Sequence, residues 1–134
     1  MTPTQLTRSL VVGAVLLAVA GCSTGSGVTG SASCEQPATL ASAAEVAAGE
    51  AVVVSADGMV DGCDDTGQDE ALDPLVDQAV IWEQGGEQIE LARADADPTG
   101  RIEVEVQVPA DAATDAPATL TIGFAAPADV HVMP

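Results

Sequence analysis

The stretch Arg101-Ile102-Glu103-Val104-Glu105-Val106-Gln107-Val108 alternates polar and apolar residues without a break. That pattern leaves few folding options. Successive side chains on a β-strand point to opposite faces, so a period of two puts Ile102, Val104, Val106 and Val108 on one side and Arg101, Glu103, Glu105 and Gln107 on the other. A helix would scatter the same residues around its circumference. Pro109 has no amide proton to give a neighbouring strand, and it ends the run. The same rule reads residues 118–124 as a strand with Leu120, Ile122 and Phe124 inward and Thr119 and Thr121 outward. It reads residues 129–133 as a last strand with Val130 and Val132 inward and His131 outward.

The segments before residue 95 alternate less cleanly. AVVVSA (51–56) is continuously apolar, as a central strand would be. AVIWEQ (79–84) runs into Gly85-Gly86, a hairpin signal, and EQIELARA (87–94) resumes beyond it. DADPTG (95–100) is a turn. The Ala-rich stretch ATLASAAEVAAG (38–49) fits either a short helix or, as preferred here, a short first strand near residues 39–41 with a turn at Ala47-Ala48-Gly49. About seven short strands punctuated by turn signals predict an all-β, two-sheet sandwich. The lone Trp82, on the third long strand, is expected in the core.

The N-terminus is of another kind. After Arg8, SLVVGAVLLAVAG (9–21) is an apolar run of secretory length, shorter than the roughly 20 residues a membrane-spanning helix needs. It ends in Val19-Ala20-Gly21-Cys22, which resembles the lipobox of bacterial lipoproteins. The resemblance implies cleavage before Cys22, a lipid on its sulfur, and a chain held outside the cytoplasm at the cell membrane. The alternative is an ordinary signal peptide with an incidental cysteine. STGSGVTGSAS (23–33) then reads as a flexible tether. The organisation expected is a signal peptide at 1–21, a lipidated cysteine and linker at 22–33, and one small domain at 34–134.

With Cys22 assigned to the lipid, Cys34 and Cys63 are left of the three cysteines. In an exported chain they are expected to pair, closing about 30 residues and stabilising the domain by about 3–4 kcal/mol. Two free thiols are the other reading.

Of the 134 residues 21 are acidic and three basic, and one basic residue, Arg8, precedes the lipobox. Nucleic acid is excluded as a partner, since phosphate contacts need Lys or Arg. Unaided adhesion to anionic lipid is excluded for the same reason, so the lipid itself must anchor. Cations, basic proteins and uncharged glycans remain. The chain has no Lys, Asn or Tyr and is rich in Ala, Gly, Val and Asp, a composition of high-GC genomes such as those of actinobacteria, with a halophile as the rival source.

AAGEAVVVSADGM (47–59) resembles the opening of bacterial immunoglobulin-like surface domains, where a Gly-centred turn feeds a valine-rich strand. ADADPTGRIEVEVQVPADA (94–112) is similar to their later hairpin. The resemblance implies an immunoglobulin-like sandwich in a cell-surface setting and no particular activity. The cysteines depart from the antibody pattern, because Cys34 precedes the first strand and Cys63 follows the second.

Three places hold residues with metal-ligand chemistry. DGCDDTGQDEALDP (61–74) gathers Asp61, Asp64, Asp65, Asp69, Glu70 and Asp73, oxygen donors of the kind Ca²⁺ takes, but without EF-hand spacing. A solvated acidic loop is the preferred reading. Asp95-x-Asp97-x-Thr99-Gly100 fits the first half of a calcium loop, yet the closing twelfth position is Val106, and a hairpin turn explains it more simply. His131 and Met133 share a strand face and are a potential copper pair, with Met59 the further soft ligand at hand. A fraying last strand is preferred.

Catalysis is poorly provided for. There is one histidine, no HExxH, no phosphate-binding Gly loop and no dinucleotide fingerprint. Sugar chemistry lacks aromatic platforms, since Trp82 and Phe124 are both expected in the core. The sequence therefore reads as a membrane-anchored envelope protein, not an enzyme, that binds or supports a protein partner and uses no cofactor. A metal-ion binder is the alternative.

Overall fold

The computed structural model describes residues 35–62 and 72–134. Among them there is no helix, and eight strands form the chain: β1 (Leu40–Ala41), β2 (Glu45–Ala47), β3 (Ala51–Ala56), β4 (Gln78–Gln84), β5 (Glu87–Ala94), β6 (Ile102–Gln107), β7 (Ala116–Ile122) and β8 (Ala128–Met133). They make two sheets, a three-stranded one in the order β1-β3-β6 and a five-stranded one in the order β2-β8-β7-β4-β5. This is the expected small β-sandwich, and its plan is immunoglobulin-like. Strands β1, β3 and β6 lie in one sheet in the A-B-E order of that fold, and the β8-β7-β4-β5 run matches the G-F-C-C′ order of the other.

The sheets form because each has one continuous apolar face. In the smaller sheet the register sets Val52 beside Val106, Val54 beside Val104 and Ala56 beside Ile102. In the larger it sets Trp82 between Leu120 and Ile89, Val80 beside Ile122, and Ala118 beside Val130. Val52, Val54, Ala56, Ile102, Val106, Val80, Trp82, Leu120, Ile122 and Val130 are all buried in a single cluster. The outward residues of β6, Glu103, Glu105 and Gln107, are exposed, as the alternation requires.

Two local expectations need correction, at 38–49 and at Phe124. The stretch 38–49 carries two strands rather than one: β2 pairs in parallel with the end of β8, and Val46 alone of its three residues is buried. A three-residue strand has too few alternations to stand out from an Ala-rich background. The run 51–56 is a central strand as expected, with β1 on one side and β6 on the other. Val52, Val54 and Ala56 are inward, and Val53 and Ser55 are half-buried on the outer face. Phe124 does not join the core. β7 ends at Ile122, Gly123 turns the chain at φ +52°, and Phe124 is 50% exposed. Met59 is fully buried.

A β-bulge accounts for the irregular reading of β5. Val80 faces Ala92 and Ile81 faces Glu90, so Leu91 is an extra residue with no partner of its own. The bulge switches the alternation. It brings Glu90 and Arg93, three apart, to one face, where they pair at 2.9 Å. At the adjoining hairpin, Gly85 and Gly86 both take positive φ, +61° and +82°, as a two-residue turn of the primed type needs.

At the other end of the sandwich the turn 97–100 locks against the chain leaving β3. The Met59 amide donates to the Gly100 carbonyl at 2.8 Å, and the Leu75 amide donates to the Met59 carbonyl at 3.0 Å. Gly100 has φ +80°, and a Cβ there would lie 2.7 Å from Val60 Cγ1. Val is stiff about χ1 and cannot easily turn away. Gly100→Ala is therefore expected to destabilise the domain by about 1–3 kcal/mol. Gly49→Ala, also at positive φ but with nothing within 4 Å of the added carbon, should cost less. Urea unfolding of the two variants checks the order.

Candidate functional site

A cleft of about 570 Å³ opens at the end of the sandwich where β3 runs toward β4 and β7 turns into β8. Three segments wall it: Glu35, Gln36 and Pro37 from the N-terminal side, Gly58, Val60, Asp61, Gly62 and Leu75 from the β3–β4 connection with Gln78 at the start of β4, and Phe124 from the β7–β8 turn.

Each wall is held by backbone bonds. The chain leaves toward the acidic loop at Val60 and returns at Pro74 through an isolated antiparallel bridge, with the Asp61 amide donating to the Asp73 carbonyl at 2.8 Å. The base of the loop is thus closed by main-chain pairing. The N-terminal segment straps the opposite turn. Ala126 N–H donates to Pro37 C=O at 2.7 Å, Thr39 N–H donates to Ala126 C=O at 2.8 Å, and the Gln36 side-chain amide donates to the Phe124 carbonyl at 2.8 Å. Thr39, the one buried polar residue described, accepts the Ile122 amide on its hydroxyl at 3.1 Å. The Met59 side chain fills the space beneath, its Cε 3.3 Å from where a Cβ on Gly123 would stand.

Of the residues singled out from the sequence, Asp61 alone lines this cleft. Cys22, Cys34, Cys63, Asp64, Asp65, Asp69 and Glu70 lie outside the described residues. Asp95 and Asp97 have structural tasks. Asp95 Oδ1 accepts the amide of Asp77 at 2.7 Å. Asp77 sits at φ +56°, an unusual backbone for a residue with a side chain, and Arg93 Nη1 bonds both its carbonyl, at 3.1 Å, and its carboxylate, at 2.8 Å. Asp97 Oδ1 accepts three bonds: Thr99 hydroxyl at 2.6 Å, Thr99 amide at 2.8 Å and Arg101 amide at 3.1 Å. These bonds, the Thr99 hydroxyl first and the Arg101 and Thr99 amides after it, hold the Asp97 carboxyl below the usual carboxylate range. This is the hairpin turn preferred over a half-built calcium loop.

The copper pair fares similarly. His131 and Met133 are exposed on the outer face of β8, opposite Glu45 and Ala47 of β2. Met59, the suggested further ligand, is buried in the core. Among the described residues no three His, Cys, Asp or Glu are grouped to hold a metal ion.

Sequence reasoning missed Phe124 and the N-terminal strap. Gly123 was the available signal for Phe124: a glycine after an alternating strand marks its end, so the next residue leaves the inward register. The strap gives no pattern, because its pairing with Ala126 is made by main-chain atoms of Pro37 and Thr39.

The arrangement is a rigid all-β sandwich presenting a partly apolar, acid-rimmed cleft between connecting segments. Comparisons with protein-family models, curated proteins and solved structures find no match to this chain.

Two outcomes are expected. Asp95→Asn weakens the brace on Asp77, so it lowers the melting temperature, and by the same amount in EDTA as in Ca²⁺. Asp97→Asn keeps an oxygen for the turn but removes the titration. A carboxyl depressed in the folded state contributes stability above its unfolded pKa, about 3.9, and loses it as pH falls through the lower folded value. The stability difference between wild type and Asp97→Asn should therefore be flat above about pH 5 and shrink below about pH 4, read from urea midpoints at each pH.

Proposed function

We propose that the chain is a lipid-anchored protein of the bacterial envelope whose sandwich domain is a non-enzymatic binding module, with the cleft end as its working surface. The observation that carries the binding reading is Phe124. The chain has a single Phe and a single Trp. Trp82 is 2% exposed and Phe124 50%. A small domain so poor in aromatics gains most by burying them, so an aromatic left at the mouth of a cleft is better explained by contact with a ligand than by packing. Connections carried on a rigid frame are common places for such sites. The one imidazole, His131, is not among the residues lining the cleft.

The envelope setting rests on Val19-Ala20-Gly21-Cys22 and the apolar run before it. An anchor supplied by the lipid also fits a surface whose charge repels anionic headgroups. On this reading the tether and Cys22 decide where the domain works, and the cleft decides what it holds.

The two halves are tested separately in a bacterial host. Labelled palmitate should enter the wild-type chain and not Cys22→Ala, which should move from the membrane to the soluble fraction with its unfolding midpoint unchanged. An unlabelled, soluble wild type would remove the anchor. A photo-crosslinking residue placed at Phe124 should yield adducts in living cells that the same residue at Gly85, at the far hairpin, does not. Equal yields at both positions would remove the cleft.

A further inference from the structure

We infer that the cleft takes a cationic peptide segment of a partner protein, one in which lysine or arginine alternates with an apolar residue. The inference deepens the binding reading above and stands on it. Three features of the cleft lead there.

Its lining is apolar at several points and acidic at the rim. Pro37, Val60, Leu75 and the half-exposed Phe124 ring offer the apolar contact, Glu35 and Asp61 carry the carboxylates, and no lining residue is a cation. Nor is a neighbouring cation at liberty to neutralise it. Among the described residues the two arginines are each held by two carboxylates: Arg93 by Asp77 at 2.8 Å and Glu90 at 2.9 Å, Arg101 by Asp57 at 3.0 Å and Glu103 at 2.8 Å. Glu35 and Asp61 make no ion pair among the described residues. The chain as a whole carries a formal charge of −18, so the field over the mouth is negative and anionic occupants are repelled.

Apolar floor and acidic rim together suit a side chain that is both. Lysine and arginine lay an aliphatic stem on an apolar surface and keep the charged head in water. Over Phe124 the head also gains from the ring's negative face. A volume of about 570 Å³ exceeds what one such side chain fills, and leaves room for an apolar neighbour against Leu75 and Val60. A bare divalent ion would use the rim and leave the floor empty. A purely apolar chain would use the floor and desolvate the carboxylates without compensation.

The composition supplies a direct probe. Phe124 is the only phenylalanine and Trp82 the only tryptophan. Growth on 4-fluorophenylalanine therefore gives one ¹⁹F signal at the cleft, and growth on 5-fluorotryptophan gives one in the core. The purified full chain, in non-ionic detergent, is titrated with a blocked tetrapeptide alternating leucine and lysine. Two analogues serve as comparison, one with glutamine for lysine and one with serine for leucine. The Phe124 signal should move and saturate with the leucine–lysine peptide while the Trp82 signal stays. Each analogue should bind at least about tenfold more weakly, since both the stem contact and the charge are needed. Affinity should fall as salt is raised from about 0.05 to about 0.5 M. By calorimetry, Phe124→Ala should weaken the peptide about tenfold and Asp61→Asn several-fold, with melting temperatures near wild type because both positions are exposed. The inference is overturned if the serine–lysine peptide binds as tightly as the leucine–lysine one without moving the Phe124 signal, which is general attraction to an acidic protein. It is also overturned if the glutamine peptide binds as well, which makes the cleft indifferent to charge. Loss of palmitate labelling or of membrane localisation would remove the anchor and leave this titration unchanged, so the two failures are told apart.

Discussion

The pairing of two apolar strand faces across the sandwich is the interaction on which everything else rests. It has to be achieved almost without aromatic residues. Val52, Val54 and Ala56 of β3 lie beside Val106, Val104 and Ile102 of β6, and this branched, compact face closes on Trp82, Leu120 and Ile122 of the larger sheet. Branched residues are stiff at χ1 and fill a pleated face evenly, which suits a thin core. The ends of such a core are its difficulty. At the cleft end Met59, unbranched and adaptable, fills the gap between the two glycine turns at 100 and 123. The cleft floor exists because that plug holds the main chain of residues 58–60 in place.

What the sequence disclosed follows the same physics. Where a strand presents one face to the core and the other to water, the period of two is visible, and β6, β8 and most of β7 were legible for that reason. β4 and β5 were legible through Gly85-Gly86, whose positive φ angles admit few other residues. β2 was not, because three residues with one buried valine carry no period. The bulge at Leu91 was hidden for a different reason: an extra residue reverses the alternation, and EQIELARA looks merely irregular until its partner's register is known. Phe124 was misplaced by continuing an alternation one step past Gly123, where the backbone had already turned.

The acidic residues divide into those that hold the fold and those that face out. Asp95 and Asp97 looked like ligands because carboxylates two apart near a glycine are what a calcium loop also uses. Their oxygens are taken by main-chain amides and a threonine hydroxyl, which is what an Asp-x-Thr-Gly turn does when it must reverse the chain in a short distance. Glu103 and Glu105 face solvent on β6, an edge strand among the described residues, where like charges discourage a second copy from adding a strand. Repulsion over the whole surface keeps such a chain apart from its own kind, yet it draws basic partners from all sides with little selectivity.

Selectivity must then come from something that charge alone does not provide, and the N-terminal strap bears on it. Residues 36–39 fix the β7–β8 turn through main-chain bonds and the Gln36 amide, so the Phe124 carbonyl and its neighbours have one position and not several. A turn whose main chain is held in place costs less to engage than one that must first be ordered. The strap is also the chain's entry into the domain. On the proposed reading, in which the preceding tether leads to a lipid on Cys22, any pull along the tether acts first on Pro37 and Gln36, and these are walls of the cleft. Antiparallel pairing between β1 and β3 is only two residues long, Leu40 with Ser55 and Ala41 with Val54, so it offers little resistance beyond the strap. On that reading anchor and cleft share the same few hydrogen bonds, those from Gln36, Pro37 and Thr39 to the β7–β8 turn.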